Sequence, residues 1–438
     1  EMESIKAKVL QMFGEVEVDP SWSFADISRT ETAKWTHGYH RYPAKFIPQL
    51  VERLFDEYVT SSHAHVNDPF FGSGTTIVTA ISRGYIASGT DINGIALLMT
   101  QAKSVPIDPS YLDLKIKRFL AGIRPTSTNH SLGGDSSLIK LPEKNIERIE
   151  YWFPEKNKME IGRILKIILN ESDLLVRRFL LVAFSHILKN CSIWLQRSTK
   201  PTRDHTKSPK DPYLSIRSHL KKMVHGNRAF YEKVPEHVRS NIHDYLKISQ
   251  NDARSQPLVD SCVDLIVSSS PYVTSYEYAD LHQLSTLWLE LADDYNTHRK
   301  EFIGTGFCSA SKRNPRSEIA QEIITQINPH KKTAQEIREY FCDMEEVFRE
   351  SYRILKDGGR CCYVIGNTAL KGVDILNAQV FAESLVHCGF QIEKIVKREI
   401  PSKILPQTRD KGTGRFSSSR DATSEAYPTE YIVIGIKP

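Results

Sequence analysis

Two short stretches of this chain carry the side chains that a reaction would need. In the first, Val66-Asn67-Asp68-Pro69-Phe70-Phe71-Gly72-Ser73-Gly74-Thr75-Thr76, an apolar run ends on a carboxylate and then turns through two glycines. A Gly-x-Gly turn between a strand and a helix lets backbone approach a ligand closely, because neither glycine carries a side chain. Asp91 lies 19 residues beyond Gly72, followed by Ile92, at the end of the next apolar run. A carboxylate there can accept hydrogen bonds from both ribose hydroxyls of a nucleoside cofactor. Ile77 stands where a dinucleotide fingerprint has its third glycine, and no Gly-Lys-Ser/Thr occurs, so a P-loop is excluded. The site fits a ribose and lacks the usual grip on a pyrophosphate.

The second stretch, Ser268-Ser269-Ser270-Pro271-Tyr272, comes about 200 residues later and closes the apolar run Val263-Asp264-Leu265-Ile266-Val267. Hydroxyls and a carbonyl stiffened by proline make fixed hydrogen-bond acceptors, and the tyrosine ring adds a stacking face. A plain strand-end turn has the same composition.

The elements around these stretches must bring them together. Residues 3–13 have helical spacing, and a second helix is expected from Pro48 to Tyr58, with its proline in the first turn. Val66–Phe71 and Tyr85–Asp91 read as strands, each followed by a helix, at 75–83 and 94–103. Strands alternating with helices predict an α/β fold with a doubly wound sheet. The rhythm stops near residue 105, and to about 247 the pattern is mostly helical, including Leu174–Trp194. It resumes at Asn251-Asp252-Ala253-Arg254, then the strand Val263–Ser268, a helix over 344–355, a turn at 356–359 and a strand over 361–366. A helix over 381–388 and a last strand over 430–437 complete it, while 402–429 is polar and reads as a mobile loop. The expected organisation is a cofactor half (1–104), a helical insertion (105–247) and a catalytic half (248–438).

At 438 residues, with 40% hydrophobic and 25% charged residues, the composition is that of a globular protein. No run of 18 apolar residues occurs and the N-terminus lacks signal-peptide order, so no membrane role and a cytoplasmic location are expected. Seven cysteines without a CxxC pair read as buried reduced thiols; no metal site is expected. The net charge of +5 is mild, but residues 196–223 hold Arg197, Lys200, Arg203, Lys207, Lys210, Arg217, Lys221 and Lys222 against only Asp204 and Asp211. That excess suits either a phosphate-contacting surface or a solvated basic loop.

Asp68 to Thr76 resembles, throughout, the Asp-Pro-Phe-x-Gly-Ser-Gly-Thr-Thr cofactor motif of the cytosine-N4 and adenine-N6 DNA amino-methyltransferases. The resemblance implies a Rossmann-like class I methyltransferase fold with a doubly wound mixed sheet, and S-adenosylmethionine as cofactor, held by Asp68, Pro69, Phe70, Gly72, Ser73, Gly74, Thr75, Thr76, Asp91 and Ile92. His40-Arg41-Tyr42-Pro43-Ala44-Lys45-Phe46 is similar to the family's N-terminal motif. By that analogy Tyr42, Pro43, Lys45 and Phe46 line the methionine end of the pocket. Asp252, with Ala253 beside it, resembles the acidic position that bonds the adenine amino group; a turn cap is the other reading of it.

Ser269, Ser270, Pro271 and Tyr272 align with the family's Asp/Asn/Ser-Pro-Pro-aromatic catalytic motif, with Ser270 in place of the first proline. In this chemistry the loop's oxygens accept the hydrogens of a base amine and free its lone pair, and no cysteine nucleophile or metal is needed. The aromatic ring stacks on the base once it has left the helix. Serine at the first position is associated with cytosine-N4 enzymes. The segments 275–289, 352–359 and 363–367 are similar to the family's later elements.

The order of motifs implies a target-recognition domain between the halves, and Arg197, Lys200, Arg203 and Lys207 are its expected DNA contacts. The implied activity is methylation of the N4 amine of cytosine in duplex DNA by base flipping. Adenine-N6 methylation, methylation of a base amine in RNA, and a non-catalytic DNA-binding relic are the alternatives. Such enzymes commonly protect DNA against a cognate restriction endonuclease, which would be a further partner.

Overall fold

The computed structural model describes residues 2–41, 46–125, 136–273, 280–291, 303, 313–400, 408–409, 424–425 and 429–438. Its strands are β1 (His65–Asp68), β2 (Ile86–Asp91), β3 (Leu246–Gln250), β4 (Val263–Ser269), β5 (Leu355–Ile365), β6 (Thr368–Leu370), β7 (Val373–Ile375), β8 (Gln391–Glu399), β9 (Thr408–Arg409), β10 (Ser424–Glu425) and β11 (Thr429–Ile436). Seven of them form one sheet in the order β3-β2-β1-β4-β5-β11-β8. The first five pair in parallel, and β11 runs antiparallel to both β5 and β8. This is the expected doubly wound mixed sheet, and the strand order reverses direction between β1 and β4.

Both faces of the sheet are covered, which the period of two along each strand requires. Ile266, Cys361, Tyr363 and Val433 point into one core with the helices Ile5–Glu15, Glu318–Ile327, Lys331–Ile354 and Asn377–His387. Leu265, Val267, Cys362, Val364 and Ile432 point into the other, with the helices Pro48–Tyr58 and Thr75–Ser82. The adjacent cysteines 361 and 362 thus face opposite cores, and the six described cysteines are all unpaired.

The insertion forms a third core. Its helices start where the sequence supplies caps: the carboxylates of Asp108, Asp173 and Asp211 accept backbone N–H groups in the first turns of Pro109–Ile123, Leu174–Ile187 and Pro212–Lys233. Proline at the first position of two of these adds a preset φ. The same core takes in Tyr39, Ala102, Leu284, Leu287 and Trp288, which lie outside residues 105–247 in the chain. The helix Gln283–Trp288, a few residues after Tyr272, therefore packs into the insertion.

Several expected elements differ. Parallel order resumes at β3, earlier than Asn251, so the insertion gives way to the sheet inside the expected boundary of 247. The helix from 174 ends at Ile187 rather than Trp194, which forms an isolated bridge with Arg203. The helix expected from 344 begins at Lys331, and residues 356–359 form a bulge within β5 against β4. No described helix is long and apolar enough to cross a membrane.

Candidate active site

The candidate site lies at the carboxyl ends of β1 and β4, where the strand order reverses; open α/β sheets bind ligands in the crevice at that point. Ser268 Oγ donates to Asp68 Oδ1 at 2.7 Å, so the two sequence stretches, 200 residues apart, touch. The Phe70 N–H donates to the same oxygen at 3.0 Å. Asp68 is 1% exposed, and burial pushes its carboxyl up to about 7 against these two hydrogen bonds.

The glycine turn is shaped by its neighbours. Gly74 has φ of +85°, and a Cβ there would meet Thr100 Oγ1 at 2.8 Å. Gly89 of β2 lies so close beneath the turn that a Cβ would stand 2.3 Å from the Asp68 carbonyl oxygen. Thr100 Oγ1 donates to the Gly72 carbonyl at 3.2 Å and Lys103 Nζ to the Ser73 carbonyl at 2.9 Å. Both come from the helix Gly94–Ser104. Lys103 is 2% exposed, and burial lowers its ammonium to about 7. Nothing in the sequence pattern singles out Thr100 or Lys103; a lysine among small and apolar helix residues was the available signal.

Asp91 ends β2 with its carboxylate already oriented. Oδ2 accepts from the Gly72 N–H at 3.0 Å and Oδ1 from the Asn93 N–H at 2.9 Å. The residue is half-buried at the lip of the cleft, and desolvation pushes its carboxyl up to about 6. An oriented acceptor beside a turn without side chains fits the ribose of S-adenosylmethionine. Ile92 follows half-buried, Thr75 and Thr76 are buried behind the turn, and Thr76 Oγ1 donates to the Val267 carbonyl of β4 at 3.2 Å.

Asp252 sits just past β3 beside this lip, since the Asn251 N–H donates to the Asp91 carbonyl at 3.1 Å. Its carboxylate both caps its own turn and pairs with Arg254, at 2.6 Å from Nη2. Ala253 is buried. The turn cap is thus present, and Arg254 occupies one side of the carboxylate. Phe46 packs partly buried against the core behind the turn, whereas Tyr42, Pro43 and Lys45 fall outside the described residues.

At the end of β4 the three serines differ. The Ser268 hydroxyl is committed to Asp68, and Ser269 is half-buried. Ser270 Oγ is buried with no hydrogen-bond partner among the described residues. The Tyr272 hydroxyl lies beside the backbone of Gly366, where a Cβ would come within 3.4 Å of it. The arrangement brings the glycine turn, hydroxyl and carbonyl acceptors and an aromatic ring to the carboxyl ends of neighbouring strands.

The basic residues of the insertion are used differently. Lys207 does not stand free: its ammonium donates to the carbonyls of Lys189 at 2.9 Å and Trp194 at 2.6 Å, and burial lowers its pKa. Arg203 lies over the Tyr151 ring at 3.9 Å, half-buried. Lys200 is half-buried and Arg197 is exposed. Behind them, His186 and His219 stack at 3.7 Å, and His40 Nε2 shares a hydrogen with Ser185 Oγ at 2.7 Å, at the seam with the residues that precede the cofactor turn.

The DNA methylase family matches residues 6–100, which span β1, the glycine turn and β2. A type II methyltransferase, M.MvaI from Kocuria varians, is 26% identical over 411 residues, covering 87% of this chain and 88% of that protein. M.MjaII from Methanocaldococcus jannaschii is 34% identical over 136 residues, 30% of this chain and 24% of that protein. M.BsoBI from Geobacillus stearothermophilus is 21% identical over 413 residues, 82% of this chain and 79% of that one. Among solved structures, a SAM-dependent methyltransferase from Methanosarcina mazei aligns with 91% of this chain and 98% of its own at 10% identity and a TM-score of 0.31. That likeness is too loose to bear on the argument, and the fold rests on the strand order. The match over residues 6–100, the type II relatives and the strand order support likeness to the DNA amino-methyltransferases, which use S-adenosylmethionine.

Proposed function

We propose that the chain methylates the N4 amine of cytosine in duplex DNA, flipping the base into the cleft between β1 and β4. The observation that carries this reading is the Ser268–Asp68 hydrogen bond, which seats the serine loop directly against the cofactor turn. S-adenosylmethionine, when bound, supplies an electrophilic methyl group on a sulfonium. Asp91 and the Gly72–Gly74 turn hold its nucleoside end, with Asp252 and Ala253 at the base. Ser269 and the carbonyls that follow accept the amine hydrogens, which draws the nitrogen towards tetrahedral geometry and exposes its lone pair. With the methyl group passed to the nitrogen and the C–S electron pair left on sulfur, the loop's acceptors would hand the surplus amine proton to water. Tyr272 stacks on the displaced base.

Serine at position 269, where adenine-N6 enzymes have aspartate or asparagine, supports the choice of cytosine. The insertion is the proposed target-recognition domain, with Arg197, Lys200 and Arg203 towards the phosphates. The type II relatives support a role beside a cognate restriction endonuclease. The test is transfer of labelled methyl from S-adenosylmethionine to unmethylated DNA, followed by nucleoside mass spectrometry. N4-methylcytosine is the expected product. N6-methyladenine would keep the cleft and overturn the base, and label in RNA alone would overturn DNA as substrate.

A further inference from the structure

The loop Ser269–Tyr272 has one proline where its pattern has two. Proline fixes φ and lacks an N–H, so a second proline would stiffen this exit from β4. Ser270 keeps its N–H and donates it to the Val364 carbonyl of β5 at 3.3 Å, a long hydrogen bond. The Pro271 carbonyl accepts a much shorter one: Tyr340 Oη donates to it at 2.7 Å. Tyr340 is fully buried in the helix Lys331–Ile354, far from the loop in sequence.

That helix is itself fastened to the sheet at several heights. One turn on from Tyr340, the Asp343 carboxylate accepts from Arg254 at 3.0 Å and from Arg313 at 2.9 Å. Arg254 is the residue that holds Asp252. Farther along, Glu350 accepts the Gln256 backbone N–H, and the Gln256 side chain pairs with Asn67, the residue before Asp68. Ser351 Oγ meets Tyr363 Oη of β5 at 2.5 Å. The helix thus carries a fixed phenol against the one loop carbonyl that neighbours Tyr272.

We infer that Tyr340 is a positioning residue for methyl transfer: its hydroxyl fixes the Pro271 carbonyl, and with it the loop from Ser269 to Tyr272, in the role a second proline would fill. This rests on reading that loop as catalytic. A buried phenol merely satisfying its hydrogen bond is the competing account, and it moves stability alone.

The test compares Tyr340→Phe, which keeps the ring and removes the donor, with Ser351→Ala, which removes another buried hydroxyl of the same helix away from the loop. Single-turnover transfer of labelled methyl to DNA, equilibrium affinity for S-adenosylmethionine and for DNA, and Tm are measured for each. The expected result is transfer slowed about tenfold in Y340F with both affinities within about twofold, and S351A transferring at the wild-type rate despite a lowered Tm. Y340F transferring within twofold of wild type, losing cofactor affinity in parallel, or slowing no more than S351A overturns the inference. If Y340F does not fold, 4-fluorophenylalanine at 340 fills the hydroxyl's place without a donor, and the same outcomes apply. Tyr272→Ala serves as the control on the loop: wild-type transfer there removes the catalytic reading itself, whereas a slow Y272A beside an unaffected Y340F removes the inference about Tyr340 alone.

Discussion

The cleft and the basic insertion were both marked by clusters of functional residue types, and they use them in opposite ways. In the cleft, side chains brace one another and still present acceptors: Ser268 holds Asp68, and Gly72 and Asn93 orient Asp91. In the insertion, two of the cations turn back on the protein, with Lys207 held by carbonyls and Arg203 laid on Tyr151. Strand-end residues are delivered to the crevice by sheet topology, so their exposure follows from their place in sequence. A charged loop residue has no such guarantee, and a buried cation must find acceptors wherever its loop folds.

The sharpest way to break this contrast is to remove the best-oriented acceptor of the cleft. Asp91→Ala is expected to lose charge-assisted hydrogen bonds worth about 1.5–3 kcal/mol each, raising the Kd for S-adenosylmethionine by at least tenfold with DNA affinity little changed. Isothermal titration with each ligand checks it. Tyr272→Ala is expected to do the reverse, weakening the stacked base by about 1–3 kcal/mol while cofactor affinity stays near wild type. Equal loss of cofactor binding in both variants would erase the division between a cofactor turn and a base-handling loop.

Acid should expose the same division. Desolvation pushes the Asp91 carboxyl up to about 6, and in the proposed role it meets the ribose hydroxyls as an ionised acceptor. Cofactor affinity is therefore expected to fall as pH drops below about 6, and Asp91→Asn to flatten that dependence. Stability runs the other way. Asp68 and Asp91 have folded pKa values above the unfolded 3.8, so their contribution is fully present below about pH 4 and is lost as pH rises through about 6 to 7. Thermal melts of the chain without and with S-adenosylmethionine across pH 5–8 separate the two effects by sign.

The sequence revealed the cleft because its motifs fix backbone as well as chemistry: Asp68, the glycine turn, Asp91 and the serine loop all lie where the strand–helix rhythm puts them. It was silent where tertiary partners decide. The edge strand β3 is only half-buried and carries Lys247, Ser249 and Gln250, so it shows no apolar run, and the pattern places the return of the sheet at Asn251 instead. The part of the helix Lys331–Ile354 before residue 344 is hidden in the sequence because Glu339 and Asp343 look like a solvated face yet are buried, as is Glu345 just beyond. Arg313 pairs with Glu339 and Asp343, and the backbone of Arg316 and Ser317 donates to Glu345. Tyr340 and Lys103 act through carbonyls of distant loops, which no local spacing encodes.

The smallest expected effects discriminate within the insertion. Arg197 is exposed, so if it meets a phosphate, Arg197→Ala should weaken binding evenly across DNA sequences and reduce the slope of log K against log salt by about one. Lys207 is held by two carbonyls, and Lys207→Met leaves those acceptors without their donor. It should therefore lower Tm while leaving the salt slope unchanged, because the ammonium reaches no phosphate from its enclosed position. Fluorescence anisotropy with duplex DNA over a salt series, beside thermal melts, reads both. A reduced slope for Lys207→Met would mean that the loop opens when DNA binds and hands this ammonium from its carbonyls to the backbone. The contrast with the cleft would then lie in timing rather than in placement.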